Sequence, residues 1–130
     1  MSEPRDTIAD FGKAVLRLRE ALAQPKTEFL RDACIQRFEF AFELAWKSVQ
    51  KMGRNMGVDC PSPRSAFAFA LRNGWITEES EFLEMLETRN RTVHTYDDGL
   101  AEAVYSELPR FAELLGRLQA ECGRVASEPG

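Results

Sequence analysis

The sequence predicts an all-α protein, an up-and-down antiparallel bundle of four main helices and one short helix that forms a dimer. Three observations carry this. Apolar side chains recur at alternating steps of three and four residues through most of the chain. No stretch shows the two-residue alternation of a half-buried strand. One helix is apolar on two opposite faces and so has two partners. At 130 residues the chain is expected to be a single domain spanning 1–130, with frayed ends at 1–6 and 125–130. That length buries about 65–70% of the surface an unfolded chain exposes.

The first helix is expected from about Thr7 to Gln24, where Ile8, Phe11, Val15, Leu18 and Leu22 form one stripe. Asp6 or Thr7 can cap its start, and Pro25 stops it. Thr27 caps a second, longer helix that runs to about Met56 and is closed by Gly57. Its main stripe is Leu30, Cys34, Phe38, Ala41, Phe42, Ala45, Val49 and Met52, edged by Ile35 and Trp46, enough to fill a bundle core. Phe29, Ala33, Phe40 and Leu44 lie about 180–240° round the helix from Phe38, at about 100° per residue. That second face is covered either by another helix of the chain or by a second subunit. Glu43 and Lys47 flank it four residues apart, the spacing of a surface ion pair of small energetic weight.

Ser62-Pro63 is a good helix start and Gly74 a good stop, which predicts a short third helix through Phe67, Ala70 and Leu71. Thr77 then caps a fourth helix whose first turn holds Glu78 and Glu79, where carboxylates favour the positive end of the dipole. Its stripe reads Phe82, Leu86, Arg89, Val93, Tyr96. Either aspartate of Asp97-Asp98-Gly99 can cap the last helix, which carries Ala101, Val104, Leu108, Phe111, Leu115, Leu118 and Cys122 in unbroken phase. Pro109 lies inside that seam and is expected to kink the helix rather than end it.

A net charge of −4 and a pI near 5.1 have the wrong sign for a protein that coats nucleic acid, so any RNA contact is local and DNA is not an expected partner. No apolar run approaches the roughly 18 residues of a membrane span, so no membrane partner is expected. The polar start, Met1 to Asp6, has no hydrophobic region behind it and is not a secretory signal, and a cytoplasmic location is the expectation. Cys34, Cys60 and Cys122 form no Cys-x-x-Cys pair and, with one histidine in the chain, make a poor zinc set; neither a metal nor a cofactor is expected. There is no glycine-rich phosphate loop, and the residue three before His94 is Arg91, which rules out the Glu-x-x-His of a di-iron bundle. A serine or cysteine nucleophile with His94 as its base stays open.

The stretch that carries chemistry is Arg89-Asn90-Arg91-Thr92-Val93-His94-Thr95-Tyr96. Histidine titrates near neutrality and can move the proton of a 2′-hydroxyl or of a leaving 5′-oxygen. Arginine is a fixed forked cation matched to phosphate and can hold the charge that develops on pentacovalent phosphorus. Asn90 can orient the imidazole or a ribose hydroxyl, and Arg91 adds a second cation. These are the groups that metal-free RNA cleavage needs. The plain alternative is that basic residues near a helix C-terminus only complement the dipole. Arg89 shifts the balance, because it falls on the inward stripe, where it needs an acid such as Glu39 or Glu43, or a phosphate. On a straight helix Asn90 and His94 lie about 40° apart and Arg89 and Tyr96 about 20° apart, but Arg89 and His94 diverge by about 140°. Either the helix unwinds before His94, or the arginine reaches round, or two copies of the helix meet at a two-fold axis.

Arg89-Asn90-x-x-x-His94-x-Tyr96 resembles the signature of the HEPN superfamily, and more narrowly of the HepT-like proteins, also named nucleotidyltransferase substrate-binding proteins. Phe38-Glu39-Phe40-Ala41-Phe42-Glu43-Leu44-Ala45-Trp46-Lys47 is similar to the family's second-helix segment, and Ser62-Pro63-Arg64 with Gly74-Trp75-Ile76 to its middle. The resemblance covers about Phe11 to Leu118. It implies a helical bundle that forms a homodimer or a higher even oligomer, and a minimal nucleotidyltransferase as partner. It further implies a metal-independent endoribonuclease toxin with Arg89 and His94 catalytic in a dimer cleft, silenced when the partner adenylylates Tyr96. The other function class is a non-catalytic subunit that binds substrate for, or docks, the nucleotidyltransferase. The acidic pI favours the second class and the intact arginine, histidine and tyrosine favour the first. A helical dimer of unrelated use is the third reading.

Overall fold

The computed structural model describes residues 4–128, and every regular element among them is helical. Five α-helices follow in order: α1 (Pro4–Leu22), α2 (Glu28–Asn55), α3 (Pro63–Arg72), α4 (Glu79–Arg91) and α5 (Asp98–Ala126). A single 3-10 turn, Thr92–His94, stands between α4 and α5. α1, α2 and α5 pack on one another as a trunk; α3 lies against α2 and α4 against α3, while α4 touches α5 only sparingly.

The capping of the helices follows the sequence closely, with two corrections at helix starts. Thr27 accepts a hydrogen bond from the Leu30 N–H and caps α2. Gly57, at φ 79°, closes it, with the Val58 N–H reaching back to the Gly53 carbonyl at 2.8 Å. α3 opens on a reciprocal box between Ser62 and Ser65 and closes at Gly74, φ 74°. Asp97 rather than Asp98 caps α5, accepting from the Leu100 N–H. The first correction is that α1 begins at Pro4, so neither Asp6 nor Thr7 caps it. Proline fits a first helical position, and the buried Thr7 hydroxyl instead accepts from Lys51 on α2 at 2.8 Å. The second concerns Thr77, which does not cap α4: its backbone N–H and its hydroxyl both donate to the Glu78 carboxylate, and Glu78 itself stands at the helix start without a side-chain cap. Frayed ends were expected at 1–6 and 125–130; residues 4–6 and 125–126 are helical, and 1–3 and 129–130 lie outside the described residues.

The core is built from the expected stripes of α1, α2 and α5. Every named position of α5 from Ala101 to Cys122 is buried, and the helix runs on through Pro109, whose ring is exposed. On α2 the stripe from Cys34 to Met52 is buried and Leu30 packs at its edge. Five phenylalanine rings form a continuous column: Phe111 to Phe38 at 5.6 Å, Phe38 to Phe42 at 6.2 Å, Phe42 to Phe67 at 5.8 Å and Phe67 to Phe82 at 5.0 Å between centroids. On α3, Leu71 faces outward where it was expected to face the core, and Phe69 takes the inward place, edge-on to Trp75. On α4, Met85 is buried between Phe82 and the half-buried Leu86. The second face of α2 is smaller than expected: Leu44 packs against the core, leaving Phe29 and Phe40 uncovered.

One ionic knot ties the start of α2 to the start of α5. The Arg31 side chain is only 5% exposed and binds Glu102 at 3.0 Å, Asp98 at 3.1 Å and its neighbour Asp32 at 3.1 Å; Lys26 adds a second cation to Glu102. These bonds, Glu102 first, hold the guanidinium more firmly protonated than usual.

Two measurements test this packing. Phe42→Ala removes the middle of the ring column and should cost about 3–5 kcal/mol in urea denaturation; a loss below about 1 kcal/mol would mean the column is not where the stability lies. All three cysteines are buried, burial raises each thiol, and that of Cys122 is pushed up to about 12. A thiol reagent at pH 8 should therefore leave the native protein unlabelled and modify all three after unfolding in guanidinium.

Candidate functional site

α4 ends in the residues singled out by sequence, and it ends earlier than their periodicity implied. Helical bonding stops at Arg91, and the chain tightens into the 3-10 turn Thr92–His94. Thr92 is the anchor: it is buried, its hydroxyl donates to the Arg89 carbonyl at 2.7 Å, and its own carbonyl accepts from the Thr95 hydroxyl at 3.0 Å. The Asp97 N–H then closes on the His94 carbonyl at 3.1 Å, so the loop is stapled to itself at each step. Nothing in the hydrophobic pattern pointed to Thr92; only a threonine able to satisfy the carbonyls at a helix end was there to be read.

This early ending overturns the expected inward stripe beyond Arg89. Val93 is 65% exposed and Tyr96 83% exposed, because the turn takes Thr92 into the core in place of Val93. Arg89 and Tyr96 therefore do not share a helix face. Nor does the tightening align Arg89 with His94: two helical steps and three 3-10 steps of about 120° still leave them about 160° apart. Among the described residues no hydrogen bond or ion pair joins the two.

His94 and Tyr96 do come together. The Tyr96 hydroxyl stands 3.4 Å from His94 Nδ1, with the rings edge to face at 5.8 Å, and the imidazole tautomer sets which group donates. Both are open to solvent, as are Asn90 and Arg91. Arg89 turns to the other side, toward α2, with its side chain 27% exposed and Nη2 3.7 Å from Glu43 Oε1. The expectation of an acidic partner is met by Glu43. The same carboxylate accepts from the Trp46 indole N–H at 3.3 Å and faces Lys47 at 3.7 Å through Oε2. The expected Glu43–Lys47 pair is thus present, but as one arm of a larger cluster.

Arg91 points away from Arg89, into a cleft of about 260 Å³ between α4 and α5, where Glu84, Glu87 and Glu107 also line the wall. The two arginines, two residues apart, serve different sides of α4. Among the described residues no group of three His, Cys, Asp or Glu side chains is placed to hold a metal ion, and no helix is long and apolar enough to cross a membrane. The three cysteines sit in the core, away from the exposed His94, so none is placed as its nucleophile. What the surface offers is an accessible imidazole with a hydroxyl partner, and a partly exposed guanidinium that faces Glu43 on the α2 side.

The chain is similar to known proteins over most of its length. Residues 6–123 match the family described as nucleotidyltransferase substrate binding protein like. A protein of Haemophilus influenzae described as probable ribonuclease HepT is 34% identical over 83 residues, covering 59% of this chain; the match spans just over half, 56%, of that protein's length. The crystal structure of a Thermus thermophilus protein superposes with a TM-score of 0.81 at 34% identity, covering 86% of this chain and 98% of that one. A second structure, from Haemophilus influenzae, described as revealing the fold of a substrate binding domain of a nucleotidyltransferase, gives 0.65 at 26% identity over 92% of this chain and 96% of its own. By its helical bundle, its motif and its match over nearly the whole length, the chain belongs to the HepT-like, nucleotidyltransferase substrate-binding protein family.

Proposed function

We propose that this protein is a metal-independent endoribonuclease of the toxin type, with His94 and Arg89 as its catalytic pair, restrained by a minimal nucleotidyltransferase that adenylylates Tyr96. The observation that carries the reading is the exposed His94 imidazole with the Tyr96 hydroxyl at 3.4 Å. His94 takes the proton of a ribose 2′-hydroxyl; the freed oxygen attacks the adjacent phosphorus, and the 5′-oxygen leaves with a proton. Arg89 holds the charge that gathers on the phosphoryl oxygens. Asn90 and Arg91 support the RNA around the motif.

A histidine placed at the attacking oxygen is not also at the leaving one, and Arg89 lies on the far side of the helix from it. Two copies facing each other supply a second histidine and bring the arginine of one across to the histidine of the other. The uncovered Phe29 and Phe40 on α2 give such a homodimer, or a higher even oligomer, an apolar surface to bury.

Adenylylation acts on the histidine rather than along a stripe shared with Arg89. In that step the Tyr96 oxygen attacks the α-phosphorus of ATP, an O–P bond forms, pyrophosphate departs and the phenol proton goes to solvent. The hydroxyl that met Nδ1 is then an ester oxygen that no longer donates, and a phosphate and a base stand beside the imidazole.

A non-catalytic subunit that docks a nucleotidyltransferase is the second reading. It is favoured by the net charge of −4, which repels RNA at long range, and by the description carried by the second structural relative.

The test is RNA cleavage by the purified chain. His94→Ala and Arg89→Ala should each lose about 10²–10⁴-fold in rate, while Tyr96→Phe keeps cleavage but can no longer be silenced by the partner and ATP. Equal inactivity of wild type and His94→Ala on every RNA tried would favour the docking subunit.

A further inference from the structure

Arg31, Arg110 and Arg89 differ in how their donors are used. Arg31 makes three hydrogen bonds of 3.0–3.1 Å, and Arg110 is held by Glu81, Glu84 and Glu107 at 2.7–2.9 Å. Every guanidinium nitrogen of both is bonded to a carboxylate, and their role is structural. Arg89 faces one acid, Glu43, and at 3.7 Å the contact is an ion pair beyond hydrogen-bond reach. Glu43 is the better-anchored partner. Its other oxygen, Oε2, takes the Trp46 indole N–H at 3.3 Å and faces Lys47 at 3.7 Å, both from its own helix.

From this asymmetry we infer that Glu43 is a positioning residue, a resident counter-ion that holds Arg89 in place and yields it to a phosphate oxygen. The inference rests on the reading of Arg89 as the phosphate holder. The exchange is inexpensive on both sides. Arg89 gives up a loose ion pair for a forked, charge-assisted one. Glu43, once released, keeps the Trp46 hydrogen bond and the Lys47 charge, so no carboxylate is left without partners. Until then the negative charge of Glu43 opposes weakly held anions, and the guanidinium stays pointed at the α2 side rather than wandering. Trp46 becomes a built-in reporter, because its indole N–H hangs on the carboxylate that moves.

The test follows the Trp46 indole N–H resonance in ¹H–¹⁵N spectra, assigned with Trp46→Phe, during titration with inorganic phosphate at constant ionic strength. Glu43→Gln keeps an oxygen for the indole but removes the charge, and it should bind phosphate about two- to fivefold more tightly than wild type, the range an exposed ion pair supplies. Arg89→Ala should abolish the response, and Glu43→Gln with Arg89→Ala should abolish the gain. Equal or weaker binding by Glu43→Gln while Arg89→Ala is silent overturns the counter-ion role and leaves Arg89 as phosphate holder intact. A gain that survives in the double variant places the anion elsewhere, at Lys47, and also overturns it. An Arg89→Ala protein that binds like wild type, or a lack of response in both wild type and Glu43→Gln, removes the reading of Arg89 itself and this inference with it.

Discussion

The column of phenylalanine rings from Phe111 through Phe38, Phe42 and Phe67 to Phe82 locks four of the five helices together. It threads α5, α2, α3 and α4 in turn, and all five rings are fully buried. Aromatic rings at these separations gain from their relative orientation as well as from burial, and they cannot slide without opening voids. α2 supplies the two central rings and so has to lie inside the bundle, with α1 and α5 against its long stripe and α3 on its flank. Phe82 is the last ring of the column and sits two turns before Arg89. The end of α4 is placed by the core even though that helix makes few contacts with α5.

Around this apolar frame, charge is used in two ways. Arg31 and Arg110 are ringed by carboxylates and fasten helix to helix: α2 to the start of α5 in one case, α4 to the middle of α5 in the other. The first knot fixes where α5 begins, and hence where the loop carrying His94 and Tyr96 must end. The second makes up for the sparse packing of α4 on α5. Arg89 and Arg91, at the exposed end of α4, are left with little or no bonding among the described residues. An arginine bonded to carboxylates through every nitrogen serves the structure, while a loosely paired one is able to meet an anion.

The loop from Thr92 to Asp97 shows how local hydrogen bonding overrides periodicity. The pattern Phe82, Leu86, Arg89, Val93, Tyr96 is sound helical spacing, and a helix running through it would have put Val93 and Tyr96 on the core side. The Thr92 and Thr95 hydroxyls satisfy carbonyls at the end of α4, the 3-10 turn shifts the phase, and Thr92 goes in while Val93 goes out. That shift is what makes the Tyr96 hydroxyl reachable, and it sets that hydroxyl against His94 instead of Arg89.

The helical fold class, the helix order, the caps at Thr27 and Ser62, the stops at Gly57 and Gly74, and nearly every core residue of α2 and α5 were legible in the chain. They depend on short-range rules: a period of 3.6, a side chain that caps its own backbone, a glycine that accepts positive φ. The candidate site residues could be singled out in the chain too, because their chemistry belongs to their types. Their arrangement was not. That Glu43 also reaches Arg89, that Arg91 turns to a different cleft, and that His94 meets Tyr96 rather than Arg89 are all consequences of where α4 stops and what α2 presents to it. Those outcomes depend on contacts between residues tens of positions apart and on one phase shift at a helix end, which no local pattern encodes. Residue types settle which groups are available for chemistry; the placing of α4 beside α2 and the turn at Thr92 settle which of them face each other.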